Sequence, residues 1–179
     1  MKKFWAFPAV LFFLSLILLS SVAGSSFVLL HQKDGAAVDD NFGASVAGAG
    51  DVDGDGIADF IVGAPQADPN GIITAGSAYV YSGATGALIY QKNGIAQGDF
   101  LGTSVAGAGD VNGDGRADFM VSALYTDSGS FINIGTVYIY SGADGSLLHH
   151  LTGSISGGHF GSSIAEIGDI NSDGKADVI

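Results

Sequence analysis

The chain has 179 residues, a formal net charge of −12, 29 glycines and no cysteine. Without cysteine, the fold cannot be held by disulfides, and a lipid-modified cysteine near the amino terminus is excluded. Ten of the eighteen acidic residues lie in three short loops. This concentration of negative charge argues against nucleic acid or an anionic membrane as partner, and it favours bound cations.

Residues 1–24 are predicted to be a secretory signal peptide. Lys2 and Lys3 precede an apolar run from Phe4 to Leu19, and Ser21-Val22-Ala23 supplies small residues at positions −3 and −1 of the cleavage site. The alternative is an uncleaved membrane anchor, but the apolar run is shorter than the ~20 residues of a spanning helix. We therefore expect no membrane span after signal cleavage.

One nine-residue pattern occurs three times, beginning at Asp51, Asp110 and Asp169, in steps of 59 residues. Each copy has Asp or Asn at its first, third, fifth and ninth places and glycine at its sixth. Calcium favours such loops, because alternate short side chains supply oxygens, glycine permits a tight turn, and the seventh residue lends its carbonyl. Three copies in register predict three cation-binding loops.

Each 59-residue module is predicted to contain four strands. Residues 43–50 are small, which is typical of a strand where backbones approach closely. Residues 60–64 form an apolar run too short for a helix, and residues 77–81 alternate aromatic with aliphatic side chains. After a glycine-rich turn, residues 88–91 form the fourth strand. The corresponding segments of the second module are 102–109, 119–123, 136–140 and 147–150.

These elements predict an all-β fold, a partial β-propeller of four-stranded antiparallel blades with a calcium loop between strands one and two. No amphipathic helix separates the strands, which excludes βαβ folds. Strands that are apolar on both faces need neighbours on both sides, and radially packed blades supply them. A two-sheet sandwich is the alternative.

The repeat also predicts the domain boundaries. Residues 25–41 contain an opening outer strand and a linker, because Leu29 to Gly35 correspond to Leu88 to Gly94. Residues 42–94 and 95–153 are whole blades, and residues 154–179 are a truncated blade. We expect the chain to be the amino-terminal fragment of a longer propeller whose last blade is completed by the opening strand.

Phe42-Gly43 before the first loop and Gly63-Ala64-Pro65 after it resemble the FG-GAP repeat of the integrin α-subunit amino-terminal propeller and its bacterial relatives. The second module departs from this motif, with Leu101-Gly102 and Ser122-Ala123-Leu124. The resemblance implies seven blades and calcium in the loops of the lower face, one ion per loop and up to three here. The implied ligands are Asp51, Asp53, Asp55, the Ile57 carbonyl and Asp59; Asp110, Asn112, Asp114, the Arg116 carbonyl and Asp118; and Asp169, Asn171, Asp173, the Lys175 carbonyl and Asp177.

The resemblance further implies a secreted or cell-surface scaffold, not an enzyme, that binds an extracellular protein or glycan in recognition or adhesion. The lysine-led signal peptide and the lack of cysteine resemble an exported bacterial protein. The alternative function is the propeller portion of a larger extracellular enzyme, phospholipase-like or another hydrolase, whose catalytic domain lies outside this chain.

The loop pattern has two other interpretations. One is a hydrated Asp/Asn/Gly hairpin without metal. The other is a helix-flanked calcium loop of the EF-hand or dockerin kind, which requires an acidic ligand at its twelfth place, where this chain has Val62 and Val121. The four histidines are interpreted as structural surface residues and not as metal ligands.

Overall fold

The computed structural model describes residues 19–22 and 26–179, so residues 1–18 and 23–24 of the predicted signal peptide lie outside the described residues. The described part contains twelve strands and one short 3-10 helix at Pro69–Gly71. None of its helices is long and apolar enough to cross a membrane. The strands are β1 Leu19–Val22, β2 Ser26–Leu29, β3 Ser45–Gly50, β4 Asp59–Ala64, β5 Ser77–Tyr81, β6 Leu88–Asn93, β7 Leu101–Gly109, β8 Asp118–Ala123, β9 Thr136–Tyr140, β10 Leu147–Thr152, β11 Glu166–Gly168 and β12 Asp177–Val178.

Strands β3 to β6 form one four-stranded antiparallel sheet in chain order, here called blade one, and β7 to β10 form a second, blade two. Strands β11 and β12 pair as the beginning of a third sheet. The third strand of each blade has the predicted bounds, and the fourth strand extends two residues further than predicted. The predicted all-β fold of four-stranded antiparallel blades is confirmed.

The main hydrophobic core lies between the two blades. Ile61 and Val80 of blade one belong to the same buried cluster as Val105, Phe119 and Val121 of blade two. The opposite face of blade two packs its own buried side chains against two residues from the third sheet region, Ile164 and Val178. Every residue of β4 and β8 is buried, as expected for strands that are covered on both faces; the outer face of β4 is covered by Phe42, Tyr79 and Tyr81 of its own blade.

Blades one and two approach each other through backbone at the Gly-Ala-Pro segment. The Ser45 hydroxyl donates a hydrogen bond to the Gly102 carbonyl at 2.8 Å. A methyl group added to Gly63 would overlap that same carbonyl oxygen. Glycine is therefore required at position 63 because any side chain would push the blades apart.

The predicted opening strand, Leu29 to Lys33, has no partner from another blade within the described residues. Leu29 ends β2, which pairs with β1, and residues 30–36 form no strand. The segment nevertheless contacts blade one: His31 Nε2 lies 2.8 Å from the carbonyl oxygen of Gly83. Lys33 Nζ lies 5.1 Å from the centre of the Tyr81 ring, within cation–π range.

Strand β6 contacts blade two in the same manner. The Tyr90 hydroxyl donates to the Gly142 carbonyl at 2.9 Å, and Lys92 Nζ lies 4.6 Å from the centre of the Tyr140 ring. Residues 31–33 thus occupy the position that the outer strand of a preceding blade would take. Their pairing with the last blade of a closed propeller stays a prediction.

The close approach at Gly63 generates a testable prediction. Gly63→Ala should lower the free energy of unfolding by about 1–3 kcal/mol, because the added methyl group overpacks a rigid backbone contact. The matched control is Gly48→Ala in β3, where an added methyl group meets no described atom within 4 Å. Denaturant unfolding measures the free energy of unfolding of both variants. Equal values would show that the contact at Gly63 accommodates a methyl group without cost.

Candidate metal centre

The three predicted cation loops lie at one end of the blades and contact one another in sequence. The first two join β3 to β4 and β7 to β8, and the third joins β11 to β12. The backbone amide of Ala117 donates to the Asp51 carbonyl at 3.1 Å. The equivalent bond, from Ala176 to the Asp110 carbonyl, is 3.0 Å long. The loops therefore form a continuous acidic row along one face of the molecule.

The first loop is held in shape by its own carboxylates. Asp51 accepts hydrogen bonds from the amides of Gly54 and Gly56, at 2.7 and 2.9 Å, one on each carboxylate oxygen. Asp55 accepts one from the amide of Ile57 at 2.8 Å. Both glycines have positive φ angles, 76° and 87°, so a side chain at either place would strain the turn.

The same pattern recurs in the second and third loops. The first residue of each loop accepts from the glycine at the sixth place, and the fifth residue accepts from the amide at the seventh. The bonds are Gly115 to Asp110 at 2.8 Å and Arg116 to Asp114 at 2.9 Å; Gly174 to Asp169 at 2.9 Å and Lys175 to Asp173 at 2.9 Å. The three loops therefore share these hydrogen bonds as well as their sequence pattern.

Three carboxylates of the first loop converge. One oxygen each from Asp51, Asp53 and Asp59 lies within 4.8 Å of the others. Asp55, although predicted to be a ligand, is exposed and lies outside this group. In the other loops Asn112 and Asn171 replace Asp53, so each has an amide oxygen where the first loop has a carboxylate.

The ninth residue of the loop has a second role that sequence analysis missed. Asp59 is 2% exposed and accepts hydrogen bonds from the amides of Val52 and Asp53 at 2.8 and 3.2 Å. Its other oxygen accepts from the amide of Gly83 at 2.9 Å, in the turn between β5 and β6. One carboxylate therefore fastens the cation loop to the neighbouring turn.

Blade two repeats this connection. Asp118 is fully buried and accepts from the amides of Val111 and Gly142, both at 3.0 Å. The sequence contains a signal for this connection, since a glycine follows each of these two aspartates by 24 residues. In the third loop Asp177 accepts from the amide of Ile170 at 2.9 Å.

Among the described residues, no basic side chain lowers the pKa of these buried carboxylates. Burial raises the pKa of Asp59 above its ordinary value; three backbone amides lower it in part, and nearby Asp53 raises it further. Burial likewise raises the pKa of Asp118, with smaller contributions in the same direction from Asp114 and Asp110. A cation held between the loop carboxylates would offset this cost, so the residues present fit a divalent metal ion.

The seventh residue of each following loop extends toward the loop before it. Arg116 Nη1 lies 3.4 Å from the carbonyl oxygen of Val52, and its guanidinium occupies the space beside Gly54. Lys175 Cε would lie 3.6 Å from a methyl group added to Gly113. A basic side chain therefore lies beside the first loop and another beside the second.

Two parts of the chain match family models. The FG-GAP repeat matches residues 42–81, and the FG-GAP-like repeat matches residues 110–179. Together they cover more than half of the chain. The chain belongs to the FG-GAP repeat family. The family membership expected from Phe42-Gly43 and Gly63-Ala64-Pro65 is confirmed.

This FG-GAP chain is also similar to integrin α subunits. It is 36% identical to integrin alpha-5 of Xenopus laevis over 166 residues and 37% identical to integrin alpha-V of Gallus gallus over 157 residues. These matches cover 85% and 84% of the chain but 15% of each relative. Integrin alpha-4 of Xenopus laevis is 34% identical over 125 residues, covering 67% of the chain and 12% of that relative. The FG-GAP chain thus spans about one seventh of the length of its curated relatives.

The anchoring role of Asp59 is testable without metal. In excess chelator, Asp59→Ala should destabilise the protein by about 3 kcal/mol or more, because three backbone amides lose their acceptor. Asp55→Ala, at an exposed residue with one such bond, should cost less than about 1 kcal/mol. Urea unfolding of both variants provides the comparison. Equal losses would contradict the anchoring role.

Proposed function

We propose that the three loops bind Ca²⁺ and that the chain is part of a calcium-stabilised, non-enzymatic scaffold that binds an extracellular partner. The observation that carries the metal proposal is the convergence of Asp51, Asp53 and Asp59 within 4.8 Å, in a loop whose geometry recurs at each repeat. The candidate ligands are the fifteen groups given above, from Asp51 to Asp177.

The chemistry of the loops favours calcium among common metal ions. Every candidate donor is a carboxylate, amide or carbonyl oxygen, whereas zinc sites in proteins are built mainly from thiolate and imidazole. Calcium accepts six to eight oxygens in flexible geometry, while magnesium retains several waters and uses few carboxylates. A loop that offers four side chains and a backbone carbonyl suits the larger ion.

The opposite end of the blades supports a binding role. The connections between β4 and β5 and between β6 and β7 meet there, joined by a hydrogen bond from Gly98 to the Ile73 carbonyl at 3.1 Å. Apolar side chains at this end are exposed, including Ile95 at 82% and Ile132 at 58%. Loops carry much of protein recognition, and exposed apolar side chains on them are available for contact with a partner. We infer that a protein or glycan partner binds at this end, while calcium stabilises the other.

Calcium titration tests the metal proposal. If each site binds at ~0.1 mM, as extracellular modules do, millimolar calcium adds about 1.4 kcal/mol of stability per site. Calorimetry should show saturable calcium binding, and the melting temperature should fall when chelator is added. Absence of binding heat together with identical melting in calcium and in chelator would leave the loops as hydrated turns.

The third residue of the loop is Asp in the first loop and Asn in the second, so the two can be exchanged. Asp53→Asn should weaken calcium binding at the first loop, and Asn112→Asp should strengthen it at the second, because ligand charge is one control on affinity. The unmodified third loop, with Asn171, serves as an internal reference. Calorimetric titration of both variants checks the signs, and a shift of both affinities in the same direction would exclude ligand charge as the cause.

The basic side chain beside the first loop, Arg116, generates a separate prediction. Arg116→Gln should raise the calcium affinity of the first loop by about 3- to 10-fold, because a positive charge beside a divalent ion is removed at short range. The backbone carbonyl of residue 116 remains available to the second loop. To isolate the first site, the titration uses a background of Asp114→Ala and Asp173→Ala.

The control for Arg116 is Lys175→Gln in the same background. Lys175 lies beside Gly113 of the second loop, so its replacement should leave the first site unchanged. An affinity gain from both replacements would point to net charge alone, and no gain from Arg116→Gln would show that its charge is screened from the ion.

A further inference from the structure

A cavity of about 220 Å³, partly open to solvent, lies between blade two and the end of β6 with its following connection. Its walls are mainly apolar. Blade two supplies Leu101, Tyr138, Tyr140 and Leu147, and the end of β6 with its following connection supplies Gly94 and Ile95, among other residues. The cavity also contains one acidic residue, Asp99.

The repeat explains why this cavity exists. In blade one, Phe42 packs edge-on against two tyrosines, with ring centres 5.7 Å from Tyr79 and 6.5 Å from Tyr81. The residue at the corresponding place in blade two is Leu101, which has no ring. Tyr138 and Tyr140 therefore lack the edge-on phenyl ring that their counterparts have, although Tyr138 stacks on His150 at 5.1 Å and Lys92 Nζ lies 4.6 Å from the centre of the Tyr140 ring.

The nearby phenylalanine does not fill the space. Phe100 precedes Leu101 and directs its ring to Tyr125, at 5.1 Å between ring centres, and it does not line the cavity. In blade one a phenyl ring covers the two tyrosines of the third strand. In blade two, space remains beside the corresponding tyrosines, Tyr138 and Tyr140. A cavity of about 150 Å³ suffices for benzene, so 220 Å³ accommodates a phenyl ring with a short substituent.

Asp99 is the acidic residue in the wall of the cavity, so it favours a positively charged ligand. It is 9% exposed, and burial raises the pKa of its carboxyl group; the Ala96 backbone lowers it in part, and Asp127 raises it further. The charge of Asp99 also contributes to a raised pKa of Tyr138, after burial of that phenol. A positively charged group in the cavity would relieve the cost of keeping Asp99 ionised.

We propose that this cavity binds a small aromatic amine, with its ring edge-on to Tyr138 and Tyr140 and its ammonium group beside the Asp99 carboxylate. Edge-to-face contact between rings is the arrangement of Phe42 in blade one, and it is favoured by the ring quadrupoles. The ammonium supplies the charge that the buried carboxylate lacks. This proposal does not rest on the proposed function.

The test uses 2-phenylethylamine as the probe and 2-phenylethanol as its uncharged analogue. Titration followed by amide chemical shifts should show saturable binding of the amine with Kd on the order of 1 mM. The alcohol should bind at least about 10-fold more weakly, because it cannot form the charge-assisted bond. Asp99→Asn should remove most of this difference. Equal binding of amine and alcohol to the unmodified protein would overturn the role of Asp99.

Leu101→Phe provides the second arm, since it places in blade two the ring that Phe42 places in blade one. It should abolish amine binding without lowering the melting temperature. The matched control is Leu151→Phe, at a partly exposed position that does not line the cavity, and it should leave binding unchanged. Binding that survives Leu101→Phe, or no saturable binding to the unmodified protein, would overturn the proposal.

Discussion

The structure depends on one interaction that each blade repeats, the contact of a buried aspartate with backbone amides from two separate turns. Asp59 joins the cation loop after β3 to the Gly83 turn after β5. Asp118 makes the same connection in blade two through Val111 and Gly142. Since a buried carboxylate without hydrogen bonds is very costly, these amides make its burial possible, and the carboxylate in turn fixes where the loop lies.

The same carboxylates link the fold to the proposed metal chemistry. Hydrogen bonds satisfy the oxygen atoms of Asp59 but do not neutralise its charge, and its pKa remains raised by burial. The neighbouring Asp51 and Asp53 add further negative charge at short range. A divalent cation at this cluster, as proposed above, would offset the mutual repulsion of these carboxylates. Arg116, held beside Val52 by the adjacent blade, brings positive charge near this loop from another part of the fold.

Much of the fold could be predicted because the module repeats. The alternation of Tyr79, Val80 and Tyr81 gave the bounds of β5, and the small residues before Asp51 gave most of β3. The loops were found because their acidic and amide side chains are close in sequence. The contacts of Arg116 with the preceding loop and the cavity beside Leu101 could not be found in this way, because they join residues of different blades. Residues 30–36 form no strand among the described residues, and the pairing of the predicted opening strand with the last blade stays a prediction.

The most direct measurement of the central claim is a crystal structure of the protein grown with millimolar calcium. The account predicts an ion in each loop with oxygen ligands at about 2.3–2.6 Å. In the first loop, the ligands would come from Asp51, Asp53, Asp55, the Ile57 carbonyl and Asp59, while Asp59 keeps its hydrogen bond to the amide of Gly83. Loops that contain only water under these conditions, or an ion bound elsewhere with Asp51 and Asp53 turned away, would contradict the account.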